Sequence, residues 1–292
     1  MTLQLAANVV VLACIYALVS VGYVLVYRVS RVLNLAHGEL MMAGAYFLVG
    51  SSGLFNHDPV IGIGMAVLMG LLMGIVVYLA LMRWMTGKSV LAAVLVTIAL
   101  GILLRGLVVL VFTAQQFYPA AALGWNNAPV PLPGGVRVSM ASATLVVITI
   151  AIYIALFLFL RFTRIGIQMR AAGQNPLLAA QRGIRLHAIY AFAWGLSTFT
   201  ASIAGILLAL DSGVDGQMAT IGLKAFPAAL VGGLDSFIGA CIGALIVATA
   251  EIAAIQYVNP LLSDVVPFVV LLIVLAVRPW GLFGSREQLD RV

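Results

Sequence analysis

Long apolar runs broken by short polar connectors set the pattern of this chain. The runs fall at 5–27, 33–50, 60–82, 90–113, 140–160, 187–210, 217–234, 237–257 and 264–277. About 20 consecutive apolar residues cross a hydrocarbon core as a helix. Alternating ten-residue strands, the mark of a membrane barrel, are not seen. The pattern predicts an all-α polytopic transmembrane helical bundle with about eight to nine spans. The runs 217–234 and 264–277 are the weakest. The first holds Pro227 and Gly232-Gly233, which predicts a broken helix, and irregular backbone at membrane depth must be sheltered by protein.

Composition sharpens this. Hydrophobic residues make up 64% of the 292 positions and charged residues only 8%. A soluble domain carries about 25% charged residues. The net charge is +6, but the basic residues lie in short clusters between apolar runs, with no aromatic interleaving. That excludes a nucleic-acid surface and matches the positive-inside rule. Cys14 and Cys241 fall inside apolar runs and read as small buried hydrophobes. The first basic residue is Arg28, so the first run reads as a permanent span rather than a cleavable leader.

Charge also predicts orientation. If all nine runs cross and the loop 161–186 is cytoplasmic, the inner side holds Arg28, Arg31, Arg83, Lys88, Arg161, Arg164, Arg170, Arg182, Arg185, Arg278, Arg286 and Arg291. That is 12 of 15 basic residues. Arg137 and Lys224 lie outside or near the outer interface, and Arg105 is embedded. The N-terminus is then outside and the C-terminus cytoplasmic.

The stretch NLAHGELMMAGAY, 34–46, places Asn34, His37 and Glu39 at the start of an apolar run. Asn34 then lies at the cytoplasmic end of the second helix, with Glu39 about 8 Å deeper. His37 and Glu39 point to nearly opposite sides of a helix. Two readings stand side by side. In one, Asn34 is an N-cap, Glu39 meets the positive end of the helix dipole and His37 sits at the interface. In the other, the three form an inner gate or a helix contact.

Arg105 and Glu251 sit deep in runs that both go from inside to outside. They come to similar depth, which predicts an Arg105–Glu251 ion pair. The alternative is that Arg105 meets a solute carboxylate, with Thr97 and Ser202 adding hydrogen bonds. Gly70-xxx-Gly74, Ala201-xxx-Gly205 and Gly239-xxx-Gly243 predict close helix packing.

Catalytic signatures fail. GKS at 87–89 lacks the first glycine of a phosphate loop, because Met82 stands there. His37, His57 and His187 are scattered, and neither H-E-x-x-H nor G-x-S-x-G occurs. No enzyme activity, metal or cofactor is expected.

The connector 161–186 holds five arginines around AAGQNPLLAAQRGI. Asn175 reads as an N-cap and Pro176 as the first helical residue, with Gly183 ending the helix. Leu177, Leu178 and Gln181 fall on one side. An alternative is a basic loop lying on anionic lipid.

Three stretches carry a resemblance: NLAHGELMMAGAY, then MRAAGQNPLLAAQRGI at 169–184, then LKAFPAALVGGLDSFIGACIGALIVATAEIAA at 223–254. Together they resemble branched-chain amino acid ABC transporter permeases of the LivH type, over essentially the whole chain. The resemblance implies one permease domain, 1–292, in the bacterial cytoplasmic (inner) membrane. It implies a cytoplasmic coupling loop at about 164–186 that docks on an ATPase through Gln174, Asn175, Pro176, Leu177, Leu178, Ala179, Ala180, Gln181 and Gly183. The usual Glu-Ala-Ala form of that motif is altered here, with Leu178 before Ala179-Ala180. The implied partners are two cytoplasmic ATPase subunits, a second related permease, an extracytoplasmic solute-binding protein and membrane lipid. Asn34, His37, Glu39, Thr97, Arg105 and Glu251 are the candidate path or gate residues. The competing reading is a stand-alone secondary transporter or channel.

Overall fold

The computed structural model describes residues 3–54 and 58–284. His57, Arg286 and Arg291 lie outside the described residues. The fold is helical, apart from one hairpin. Helices α1 (Leu3–Ser30), α2 (His37–Leu54), α3 (Pro59–Val77), α4 (Arg83–Met85), α5 (Val90–Phe112) and α6 (Pro119–Ala122) make the first half. The hairpin β1 (Pro129–Leu132) and β2 (Val136–Ser139) follows. Then come α7 (Met140–Phe162), α8 (Arg164–Gln174), α9 (Pro176–Gln181), α10 (Leu186–Ser212), α11 (Met218–Gly232), α12 (Phe237–Tyr257) and α13 (Val266–Val277).

All nine apolar runs contain a helix. Among the described residues, six helices are long and apolar enough to cross a membrane: α1, α3 with α4, α5, α7, α10 and α12. Helices α11 and α13 are shorter. Polar side chains set several starts. Asp58, Ser89, Ser139, Thr163, Asn175 and Ser236 each accept a first-turn N–H, which satisfies donors that helix starts leave open. A π-helical turn at Tyr78–Met82 joins α3 to α4. There the Tyr78 hydroxyl lies 2.8 Å from His187 Nδ1, at the foot of α10.

Helices α1 and α10 form the centre, with α2, α3, α7, α11 and α12 packed around them. Glycines set the spacing. A Cβ at Gly44 or Gly70 would strike Ser202, and one at Gly74 would strike the Trp194 carbonyl. A Cβ at Gly205 would strike the Met41 carbonyl, and one at Gly243 the Ala228 carbonyl. The three small-xxx-small patterns thus do lie at helix contacts. Helix α11 keeps its interior Pro227 because it is walled by protein: Ala225, Pro227, Ala228 and Ala229 are buried. Its Ala225 and Gly222 carbonyls accept from Ser20 and Tyr23 of α1. Connectors interlock too. Phe117 and Val214 form a β-bridge, and Asp211 accepts from Ser139, from Asn127 at 3.2 Å and from Ser142 at 3.4 Å. Cys14 is only partly buried, packed at the edge of the core, and Cys241 is exposed, so the reading of both as buried hydrophobes is corrected.

Gly44→Val should destabilise the chain by roughly 1–3 kcal/mol or more, since no flexible side chain can yield to it. Gly106→Ala, inside α5 where a Cβ meets nothing within 4 Å, should stabilise by up to about 1 kcal/mol. Thermal unfolding of the two variants in detergent, followed by size-exclusion chromatography, compares them.

Candidate functional site

The second helix does not start where the sequence suggests. Residues 31–36 are not α-helical, and α2 begins at His37. The His37 ring packs at Gly22 of α1, where a Cβ would collide with it. Eight residues, about 12 Å of helix, separate Gly22 from the end of α1. Gly38 meets Gly222 and the Ala219 carbonyl of α11. Segment 31–36 therefore climbs back into the bundle, and α2 starts well inside it. Thr97 of α5 pins this segment. Its hydroxyl accepts the Leu35 N–H at 3.1 Å and donates to the Val94 carbonyl at 2.7 Å.

This corrects the reading of Asn34 as the helix N-cap at the cytoplasmic end. Its Oδ1 accepts the Ala36 N–H at 3.2 Å, inside a turn ahead of the helix. Among the described residues its Nδ2 is buried without a partner. His37 is fully buried, not interfacial. It packs against Tyr23 with ring centroids 4.5 Å apart and planes tilted by 59°, and among the described residues neither ring nitrogen makes a well-formed hydrogen bond. Ser202 is walled between Gly44 and Gly70, its hydroxyl unpartnered, so it does not add to the Arg105 site.

Arg105 pairs with Glu39, not Glu251. Arg105 Nη2 lies 3.1 Å from Glu39 Oε1. The cause is the raised start of α2, which brings Glu39 to the depth of Arg105 on the neighbouring α5. Both side chains line a groove of about 850 Å³ with Leu35, Ile98, Ile102, Val109 and Leu223. That volume lies within the range of small-molecule pockets.

Glu251 belongs to a second network. Tyr16 donates to its Oε2 at 2.6 Å, and Lys224 Nζ lies 3.2 Å from its Oε1. Lys224 also reaches Asp264 at 2.7 Å. Lys224 is thus held between the buried Glu251 and the exposed Asp264. Its hydrogen bond and charge hold the exposed Asp264 carboxyl below the ordinary range. The sequence reading missed Tyr16 and the partnership of Lys224. A lone cation within an apolar run was the available signal.

The connector α8–α9 has the local structure its sequence predicts. Asn175 Oδ1 accepts the Leu178 N–H at 3.0 Å, Pro176 opens α9, and Gly183 takes φ +82° after it. Ala179 is buried, while Leu177 and Leu178 are 69% and 56% exposed. Arg31, also missed, ties this connector to the α2 start. Its Nη2 donates to the Gly173 carbonyl at 3.2 Å, and its Nη1 reaches Asp235 at 2.9 Å. Its backbone is left-handed, φ 56°.

The family model described as branched-chain amino acid transport system / permease component matches residues 5–275. The chain belongs to this family. Among curated members of the permease family, the high-affinity branched-chain amino acid transport system permease protein LivH of Salmonella typhimurium is 30% identical, covering 99% of this chain and 97% of that protein. The corresponding BraD protein of Pseudomonas aeruginosa is 28% identical over 99% and 98%. A probable LivH permease of Methanocaldococcus jannaschii is 27% identical over 91% and 88%. No solved structure matches this permease.

Two stability tests separate the networks. Lys224→Met should cost about 3–5 kcal/mol by stranding the buried Glu251 charge, and Tyr16→Phe about 1.5–3 kcal/mol. Double-mutant cycles read by thermal unfolding should show coupling for Lys224 with Glu251 and additivity for Arg105 with Glu251.

Proposed function

We propose that this chain is the permease subunit of an ABC importer that carries branched-chain or related amino acids across the bacterial cytoplasmic membrane. The family match over residues 5–275 carries the reading. The chain forms one permease domain of nine crossings, with its N-terminus outside and its C-terminus cytoplasmic. The basic-residue count supports that orientation. No phosphate-cradling motif occurs in the chain, so its energy comes from two partner ATPases. An extracytoplasmic binding protein delivers the solute.

Helix α9 with its flanks, Gln174 to Gly183, is the coupling element. Two exposed leucines on a capped cytoplasmic helix fit a groove on a soluble subunit better than they fit water. The translocation path runs along the α2–α5–α11 face. That face carries a half-exposed arginine among exposed aliphatic side chains such as Ile102 and Leu110. Bare lipid is a costly surrounding for such an ion pair, so a second permease faces it across the path and leaves the groove open between them. Asn34, His37 and Thr97 hold the α2 start that forms the gate beside Glu39 and Arg105. Glu251 stands apart from the path and acts through packing. A stand-alone ion-coupled carrier fits less well, since Glu39 and Glu251 are each already paired with a cation.

Gly183→Asp places a side chain at a left-handed backbone position. It should reduce ATP-driven uptake at least tenfold in proteoliposomes containing the complete transporter, while the permease level in the membrane stays unchanged. Wild-type uptake by that variant would remove the coupling role. A cysteine replacing Gln174 should be labelled only from the cytoplasmic side; labelling from outside would reverse the topology.

A further inference from the structure

Two ion-pair systems in one bundle differ in a telling way. Glu251 is closed off: its side chain is 4% exposed, and Tyr16 and Lys224 occupy both oxygens. Glu39 and Arg105 share a single contact between one oxygen and one nitrogen. Among the described residues, Glu39 Oε2 and the remaining Arg105 nitrogens have no other hydrogen-bond partner. The Arg105 side chain is 49% exposed, and both charges face the groove. A pair that only fastened α2 to α5 would hold better through a two-point fork. This one makes a single contact.

The groove supplies the rest of a recognition site. Apart from Glu39 and Arg105, its named lining is aliphatic or glycine. Gly106 offers no side chain, and at Gly101 a Cβ would stand 3.2 Å from the Glu39 carboxylate. The backbone of α5 is therefore bare beside the charges. A pocket with one acceptor, one donor and aliphatic walls matches an amino acid with a hydrocarbon side chain.

Resting on the importer reading above, we infer that the Glu39–Arg105 pair is a zwitterion-exchange station within the permease. When the groove is empty, the two side chains neutralise one another. An aliphatic amino acid enters between them. Its ammonium group takes the Glu39 carboxylate, and its carboxylate takes the Arg105 guanidinium. The side chain lies along Ile98, Ile102 and Leu223. One ion pair becomes two, and the net charge in the groove stays zero throughout. A bare amine or a bare acid would leave Arg105 or Glu39 uncompensated in an apolar setting, which is strongly disfavoured. The permease thus repeats a check for both charged ends after the binding protein has released its solute.

The test uses the permease–ATPase complex in proteoliposomes, with a diazirine analogue of leucine as the probe. Photolysis without binding protein should label peptides of α5 or α11. Excess leucine should reduce that label at least tenfold. Isoamylamine and 4-methylpentanoate, each lacking one charge, should reduce it less than twofold. Arg105→Gln and Glu39→Gln should lose the label while the complex still assembles, as size-exclusion chromatography reads. Label confined to other helices, or competition by either single-charge analogue equal to that of leucine, would overturn the inference; the competition series needs no variant to fold. Parallel uptake assays with the binding protein keep the two readings apart. ATP-driven leucine uptake without groove label removes this station alone. Groove label without any ATP-driven uptake removes the importer reading alone.

Discussion

The architecture rests on the close approach of α2 to three neighbours. A helix that starts inside a bundle brings unsatisfied N–H groups and polar side chains with it. Here that start is held by glycine clearance on several sides: Gly22 accommodates His37, and Gly38 meets Gly222. Further along, Gly44 receives Ser202 and Gly205 receives the Met41 carbonyl. Without that clearance α2 would be pushed outward, and Glu39 would lose its level with Arg105. The groove, the ion pair beside it and the pinning of segment 31–36 by Thr97 all follow from this one packing condition.

Charge in the bundle is then divided by purpose. On one side Tyr16, Lys224, Glu251 and Asp264 tie α1, α11, α12 and the connector before α13 into a closed network. On the other, Glu39 and Arg105 stay accessible. The two systems sit on different helix neighbours: α5 packs on α2, whereas α12 packs on α1 and α11. Only the accessible system has room for something from outside the chain.

Much of the fold was legible because apolar run length is a direct physical signal. Nine runs became nine helical segments, and the weak pair, 217–234 and 264–277, became the short helices α11 and α13. The ends of α9 were legible for another reason, since Asn175, Pro176 and Gly183 each have one conformational use there. Depth was not legible. Counting residues along straight spans matched Arg105 with Glu251, because nothing in the letters 31–36 says that the backbone leaves the helix and climbs. Asn34 looked like a cap at a surface, although it sits in a turn above it. His37 looked interfacial for the same reason. Tyr16 reads as one more apolar residue until its hydroxyl finds Glu251.

Arg31 stands at the junction between the α8–α9 connector and the raised segment. Its guanidinium holds the Gly173 carbonyl, two residues before the Asn175 cap, and its own backbone opens the climb toward Glu39. A left-handed non-glycine residue is strained and stays there only while its surroundings hold it. The two segments are therefore joined as a crank and its shaft, with no slack linker between them. If α9 is the coupling element proposed above, a push delivered on it would reach the floor of the groove as displacement rather than being dissipated in a floppy loop.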